Sequence, residues 1–241
     1  MISIQADRFY VFCIGHIDSD FHKIRSRENH TAGKQQAKGH KAQNHFLGKH
    51  LDSTLQQHPA GEPAYKNTHD QVAVFSSNYN LYGDMSRRVM SLLSTYTPKL
   101  DIYSIDEAFL DLRGMKGVDF DEYAKHISRQ CWKLTSIPVS VGIAPTKTLA
   151  KIASKLCKQY PKLKGGCYMH RPQDVEKVLR KFPIEDVWGI GRKLSAKLHS
   201  IGIRTAFDFT LLPDTTVRRM FGINGLRTWK ELKGDPCIEF E

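Results

Sequence analysis

From Val72 onward the chain runs through apolar segments of two periods. Val72-Ala-Val-Phe75 is a short apolar run that predicts a buried strand. Met85, Val89, Leu92, Leu93 and Tyr96 recur at helical spacing, which predicts a helix over 84–96, and Pro98 follows where helix stops often do. Two strand-like runs, 102–105 and 108–112, then meet at Asp106 and Glu107. Phe120, Tyr123, Ala124, Ile127, Cys131 and Leu134 predict a helix over 120–134. A strand is expected over 138–143, a helix over 146–159, and a short strand over 167–169 after Gly165-Gly166. Strand, helix, hairpin, helix, strand, helix is an α+β order.

Beyond His170 the pattern becomes all-helical. Pro172 suits the first turn of a helix reaching about residue 181, and Pro183 opens a short helix ending at Trp188. Gly189-Ile-Gly191 makes a hairpin before a helix over 192–200, which Gly202 stops. Two or three further short helices reach Lys233. The expected division is 1–70, 71–170 and 171–241.

Residues 1–70 differ from the rest. They hold eight of the eleven histidines, and little apolar periodicity runs through 24–70. The segment reads as divergent and poorly packed. Its histidines are spread too irregularly for a standard zinc spacing. The early apolar run at 9–14 is too short to span a bilayer and lacks signal-peptide flanks.

A net charge of +11 over 241 residues favours an anionic partner, nucleic acid before membrane. The five cysteines (13, 131, 157, 167, 237) contain no Cys-x-x-Cys and read as reduced thiols of a cytoplasmic protein.

Three features carry chemistry. Asp106-Glu107 places two like charges where tight hairpins want Asn-Gly or Asp-Gly. A chain tolerates that most readily where cations sit, although solvated surface acids are the plainer reading of such a pair alone. Between Thr146 and Lys164 there are six lysines and no acid. Lys147, Lys151, Lys155, Lys158 and Lys162 form one helical stripe, and unrelieved like charges at i,i+4 point to a phosphate partner or to a solvated face. Gly189-Ile-Gly191, followed by Arg192, Lys193 and Lys197, looks like a helix–hairpin–helix that offers amides to a DNA backbone.

The string Tyr103-Ser-Ile-Asp106-Glu107-Ala-Phe-Leu-Asp111 closely resembles the palm motif of Y-family translesion DNA polymerases. Phe75-Ser-Ser-Asn-Tyr-Asn-Leu-Tyr82-Gly-Asp-Met-Ser-Arg87 and Val141-Gly-Ile-Ala-Pro-Thr-Lys147-Thr-Leu-Ala-Lys151-Ile-Ala-Ser-Lys155-Leu-Cys-Lys158 extend the likeness, most closely to the UmuC-like branch of SOS mutagenesis polymerases. It covers about residues 71–241. It implies a palm with a ferredoxin-like mixed sheet, followed by a small helical thumb.

The resemblance further implies two Mg²⁺ ions on Asp106, Glu107 and a third carboxylate. Lys158, with Lys151 near it, would face the nucleotide triphosphate. Gly189, Gly191, Arg192, Lys193 and Lys197 would contact DNA. The implied partners are primed or damaged DNA, deoxynucleoside triphosphates, an accessory SOS protein and a recombinase filament, in a bacterial cytoplasm. The nearest match to the family's first acidic strand is Ile14-Gly-His-Ile17-Asp18-Ser-Asp20-Phe21, with Asp18 as the third ligand. The expected departures are a lost first strand and fingers, and no little-finger domain. A catalytically inactive palm–thumb fragment that only binds damaged DNA backbone is the alternative expectation.

Overall fold

The structure is a computed structural model. It describes Tyr10–Gly15, Pro63–Asn67, Val72–Phe75 and residues 77–239. The chain divides into two compact units, Asp18–Asp84 and the remainder. Within the smaller unit, β2 (Pro63–Asn67) and β3 (Val72–Phe75) form an antiparallel pair with a register shift between Pro63 and Tyr65.

The larger unit is built on a mixed five-stranded sheet. Its strands are β1 (Tyr10–Gly15), β4 (Leu100–Ile102), β5 (Glu107–Asp111), β6 (Val139–Ala144) and β7 (Gly166–Tyr168), in the order β4-β5-β1-β6-β7. All neighbours are antiparallel except β6 and β7. The expected loss of the first strand is therefore corrected. Tyr10–Gly15 is the central strand, paired to β5 and β6, with Ile14 across from both Glu107 and Ser140. A short apolar run with no alternation leaves strand and core segment alike, and the polar stretch behind it drew the boundary at residue 70.

Helix α1 (Tyr79–Leu93) starts five residues before the expected position of residue 84. The Asn78 side chain accepts the Leu81 amide at 3.1 Å, so the helix is capped there. A 3₁₀ turn, Ser94–Tyr96, ends it. Helix α2 (Phe120–Thr135) is capped by Asp119, whose carboxylate accepts the Asp121 and Glu122 amides. Helix α3 (Lys147–Gln159) is capped by Thr146, whose hydroxyl accepts the Leu149 amide at 3.2 Å. Leu149, Ile152 and Ala153 on its inner face are buried.

Both α2 and α3 pack on β6, every residue of which is buried. Gly142 permits the approach of α3, because a Cβ there would collide with the Ala150 carbonyl and the Ser154 amide.

The helical part follows as α4 (Pro172–Leu179), a 3₁₀ turn (Ile184–Asp186), α5 (Arg192–Ser200), α6 (Ala206–Thr210) and α7 (Asp214–Leu232). Gly222 breaks α7 at φ 68° and ψ −164°. A single buried cluster runs from Phe109, Leu149 and Ile152 through Leu179, Phe209 and Leu232. The helices after Pro172 thus share a core with the sheet. Burying a side chain of Phe or Leu size contributes about 1.5–3 kcal/mol, so this shared core ties the two parts strongly.

The four described cysteines are free thiols, and burial pushes Cys131 up to about 12. Among the described residues no helix is long and apolar enough to cross a membrane.

Candidate active site

The turn between β4 and β5 holds the acidic pair. It is not a tight two-residue hairpin with both acids at the tip. Residues 103–106 form the turn, and Glu107 opens β5. The Glu107 carbonyl closes the turn by accepting the Tyr103 and Ser104 amides at 2.9 and 3.0 Å. Asp106 is half-buried, and its Oδ1 accepts the Ser104 hydroxyl at 2.7 Å. Ser104 Oγ in turn accepts the Asp106 amide at 3.4 Å. The turn is stabilised by side chains and amides of its own, so Asp-Glu is tolerated without a turn-forming glycine.

The lysine stripe starts on α3 beside this pair; Lys147, Lys151 and Lys155 do not form a solvated face, while Lys158 and Lys162, the latter beyond the helix end, are exposed. Lys147 is 2% exposed and pairs with Asp101 at 2.7 Å. Lys151 pairs with Glu107 at 3.1 Å, and Lys155 pairs with Asp186 at 2.9 Å. The charge relief absent from the helix itself is supplied by carboxylates from β4, β5 and the 3₁₀ turn. Lys158 makes no ion pair among the described residues. Desolvation pulls its ammonium below the ordinary lysine range, opposed by the nearby Asp106 and Glu107 carboxylates. Glu107, Lys151, Lys155, Lys158, Phe182 and Trp188 line a cleft of about 310 Å³.

The glycine hairpin forms as expected. Gly189 has φ 88°, and a Cβ there would sit 2.6 Å from Thr228 Oγ1. Gly191 is the N-cap of α5, whose first turn has no side-chain cap. Uncapped amides with Arg192 and Lys193 exposed in the first turn suit an anionic backbone. Lys197, also exposed, reaches toward α7. Its ammonium donates to the Met220 carbonyl at 2.6 Å and lies 5.3 Å from the Phe221 ring centre.

Asp18 lies outside the described residues. Among the described residues no group of three or more His, Cys, Asp or Glu side chains could hold a metal ion. Asp106 and Glu107 offer two carboxylates, and β1 reads Tyr-Val-Phe-Cys-Ile-Gly, with Ile14 across from Glu107. Mg²⁺ wants near-octahedral oxygen ligands. The acidic pair fits a carboxylate contribution to such a site, but by itself it does not make a two-ion set.

Sequence reasoning passed over Tyr103, Ser104 and Trp188. The last two had a local signal, since Ser104 lies two residues before Asp106 and Trp188 directly precedes Gly189.

Residues 56–155 match the impB/mucB/samB family, and residues 172–203 match the IMS family HHH motif. Protein UmuC of Salmonella typhimurium is 41% identical over 187 residues, 75% of this chain and 44% of that protein. Protein SamB of the same species is 39% identical over 71% of this chain and 41% of that protein. DNA polymerase IV of Sulfurisphaera tokodaii is 34% identical over 53% of this chain and 36% of that protein. The chain spans less than half the length of these curated relatives. Among solved structures, DinB from Sulfolobus solfataricus superposes with TM-score 0.68 at 22% identity, over 97% of this chain and 69% of that one. An insertion ternary complex of Dbh DNA polymerase superposes with TM-score 0.67 over the same shares. These two likenesses establish the fold.

Proposed function

Because the chain belongs to the impB/mucB/samB family of Y-family DNA polymerases, we propose that it acts in error-prone translesion synthesis, adding deoxynucleotides to a primer end. The observation that carries this reading is the convergence of Glu107, Lys151 and Lys158 on one cleft lined also by Trp188, next to the Gly189–Gly191 hairpin, with the Asp106 carboxylate close enough to act on the Lys158 ammonium.

Phosphoryl transfer depends chiefly on positioning and on charge stabilisation. In this reading Asp106, fixed by Ser104, and Glu107 would be the carboxylates that hold the divalent cations Y-family nucleotidyltransferases use. Mg²⁺ bound there supplies Lewis-acid stabilisation of the phosphoryl oxygens, with Asp18 proposed as a further ligand. Lys158, without a carboxylate of its own, neutralises the triphosphate of the incoming nucleotide. Lys151, two helical turns before Lys158, pairs with Glu107 and contributes positive charge at the same wall. Gly189, Gly191, Arg192 and Lys193 hold the DNA backbone without reading its sequence. The accessory SOS protein and the recombinase filament belong to the same proposal and rest on family membership alone.

Primer extension by the full chain on a lesion-bearing template is the direct test, with DNA binding followed separately by fluorescence anisotropy. The expected result is Mg²⁺-dependent extension that Asp106→Asn abolishes while binding is retained. Binding without extension by the unsubstituted chain would leave a DNA-binding palm–thumb and overturn the catalytic reading.

A further inference from the structure

Trp188 stands immediately before the hairpin glycines, yet its indole points at the acidic turn. Its Nε1 donates to the Tyr103 hydroxyl at 3.2 Å. The ring meets Tyr103 edge-on at 5.5 Å and Phe109 at 5.7 Å. The Lys151 ammonium lies within this group, 4.5 Å from the Tyr103 ring centre, 4.8 Å from that of Trp188 and 6.0 Å from that of Phe109. The same ammonium reaches Glu107 at 3.1 Å.

Each contact selects the same lysine rotamer. A cation over an aromatic face is held more strongly when it is desolvated, and the Lys151 side chain is only 15% exposed. Lysine has a long flexible stem and many competing rotamers. The aromatic walls around the ammonium come from two parts of the chain: Tyr103 and Phe109 belong to the β4–β5 hairpin, while Trp188 belongs to the helical part. Removing Trp188 opens one wall and leaves the other in place.

We propose that Trp188 is a positioning residue: it closes an aromatic cage that fixes the Lys151 ammonium on Glu107, and so links the glycine hairpin to the acidic pair. The link to DNA rests on the function proposed above, whereas the cage does not. A duplex backbone seated on Gly189–Gly191 bears on the residue next to it, and Trp188 transmits that to Lys151 and Glu107.

Competitive acetylation of the full chain with acetic anhydride, read residue by residue by mass spectrometry, tests the cage. Exposed Lys162 serves as reference, and Lys147, buried on Asp101, reports general loosening. Trp188→Ala is expected to raise the Lys151 rate roughly three- to tenfold relative to Lys162. Trp188→Phe retains most of the protection, and Lys147 stays unchanged in both. An unaltered Lys151 rate in Trp188→Ala, an equal rise at Lys147, or no rescue by phenylalanine overturns the cage. Adding primed duplex is expected to change the Lys151 rate in the unsubstituted chain and not in Trp188→Ala. A bound duplex that leaves Lys151 unchanged overturns the link while sparing the proposed function. A chain that binds no duplex overturns the link and the DNA reading together, and leaves the cage standing.

Discussion

The Glu231 carboxylate at the end of α7 accepts the Thr148 amide at 2.9 Å, joining residues 83 positions apart. Its other oxygen accepts the Cys237 and Ile238 amides at 2.8 and 3.2 Å. The Thr146 hydroxyl returns a bond to the Glu231 carbonyl at 2.8 Å. One fully buried side chain therefore fastens the last long helix to the first turn of α3, where the helix dipole favours a negative group.

Glu231→Ala leaves three amides without their acceptor, that of Thr148 in the interior and those of Cys237 and Ile238 half-buried. Each orphaned group costs about 1–3 kcal/mol, so a loss of about 3 kcal/mol or more is expected in urea unfolding. Glu231→Gln keeps one carbonyl acceptor and is expected to fall between. A loss below about 1 kcal/mol for the alanine variant would mean that water replaces the carboxylate at little cost.

Acid stability is expected to depend on Asp111. Burial acts to raise its carboxyl, and hydrogen bonds from the Arg113 side chain and amide outweigh burial, holding it below the usual range. A folded-state value below the unfolded one adds stability above the ordinary aspartate range and loses it as pH falls through the folded value. The unsubstituted chain is thus expected to exceed Asp111→Asn in Tm near neutrality, with the two curves converging in acid. Thermal scans at a series of pH values check this. A gap that stays constant into strong acid would count against the pairing as its source.

Ser104→Ala removes the hydroxyl that holds Asp106 Oδ1 at 2.7 Å and accepts the Asp106 amide. Losing one such bond at a reacting carboxylate is expected to slow extension about tenfold, equivalent to about 1.4 kcal/mol, with duplex affinity unchanged. Single-turnover kinetics separate the two effects. A fall in affinity without a fall in rate would relocate Ser104 from positioning the acid to contacting DNA.

Arg192 and Lys193 lie exposed in the first turn of α5. Replacing both by alanine is expected to weaken binding alike on unrelated duplex sequences and to reduce the salt-dependence slope by about 2. Anisotropy titrations at several salt concentrations measure that slope. An unchanged slope would remove these two residues from the phosphate contacts.

What could be read in the sequence depended on how far apart the interacting residues lie. The acidic turn and the hairpin glycines were legible because their motifs are local. The lysine stripe of α3 was legible as a stripe, but its charge partners were not, since Lys147 and Lys151 pair with carboxylates 46 and 44 positions away. The start of α1 was missed because Asn78 caps the helix seven residues ahead of Met85, its first recognised apolar position. Trp188 read as the end of a helix, and only the folded chain brings its indole to Tyr103, 85 positions back. The central place of β1 was hidden because its partners in β5 and β6 are far along the chain.

That central strand sets the order in which the sheet can assemble. The Ile14 partners are Glu107 and Ser140, so β1 waits for about a hundred later residues before either edge is satisfied. Pairings of such high sequence separation delay folding, because loop closure must precede the contacts that reward it. Closure entropy grows only with the logarithm of loop length, about 0.6 kcal/mol per doubling. Closing the sheet around β1 therefore costs little in thermodynamic terms, and the cost of its distant partners falls on the speed with which a newly made chain becomes native.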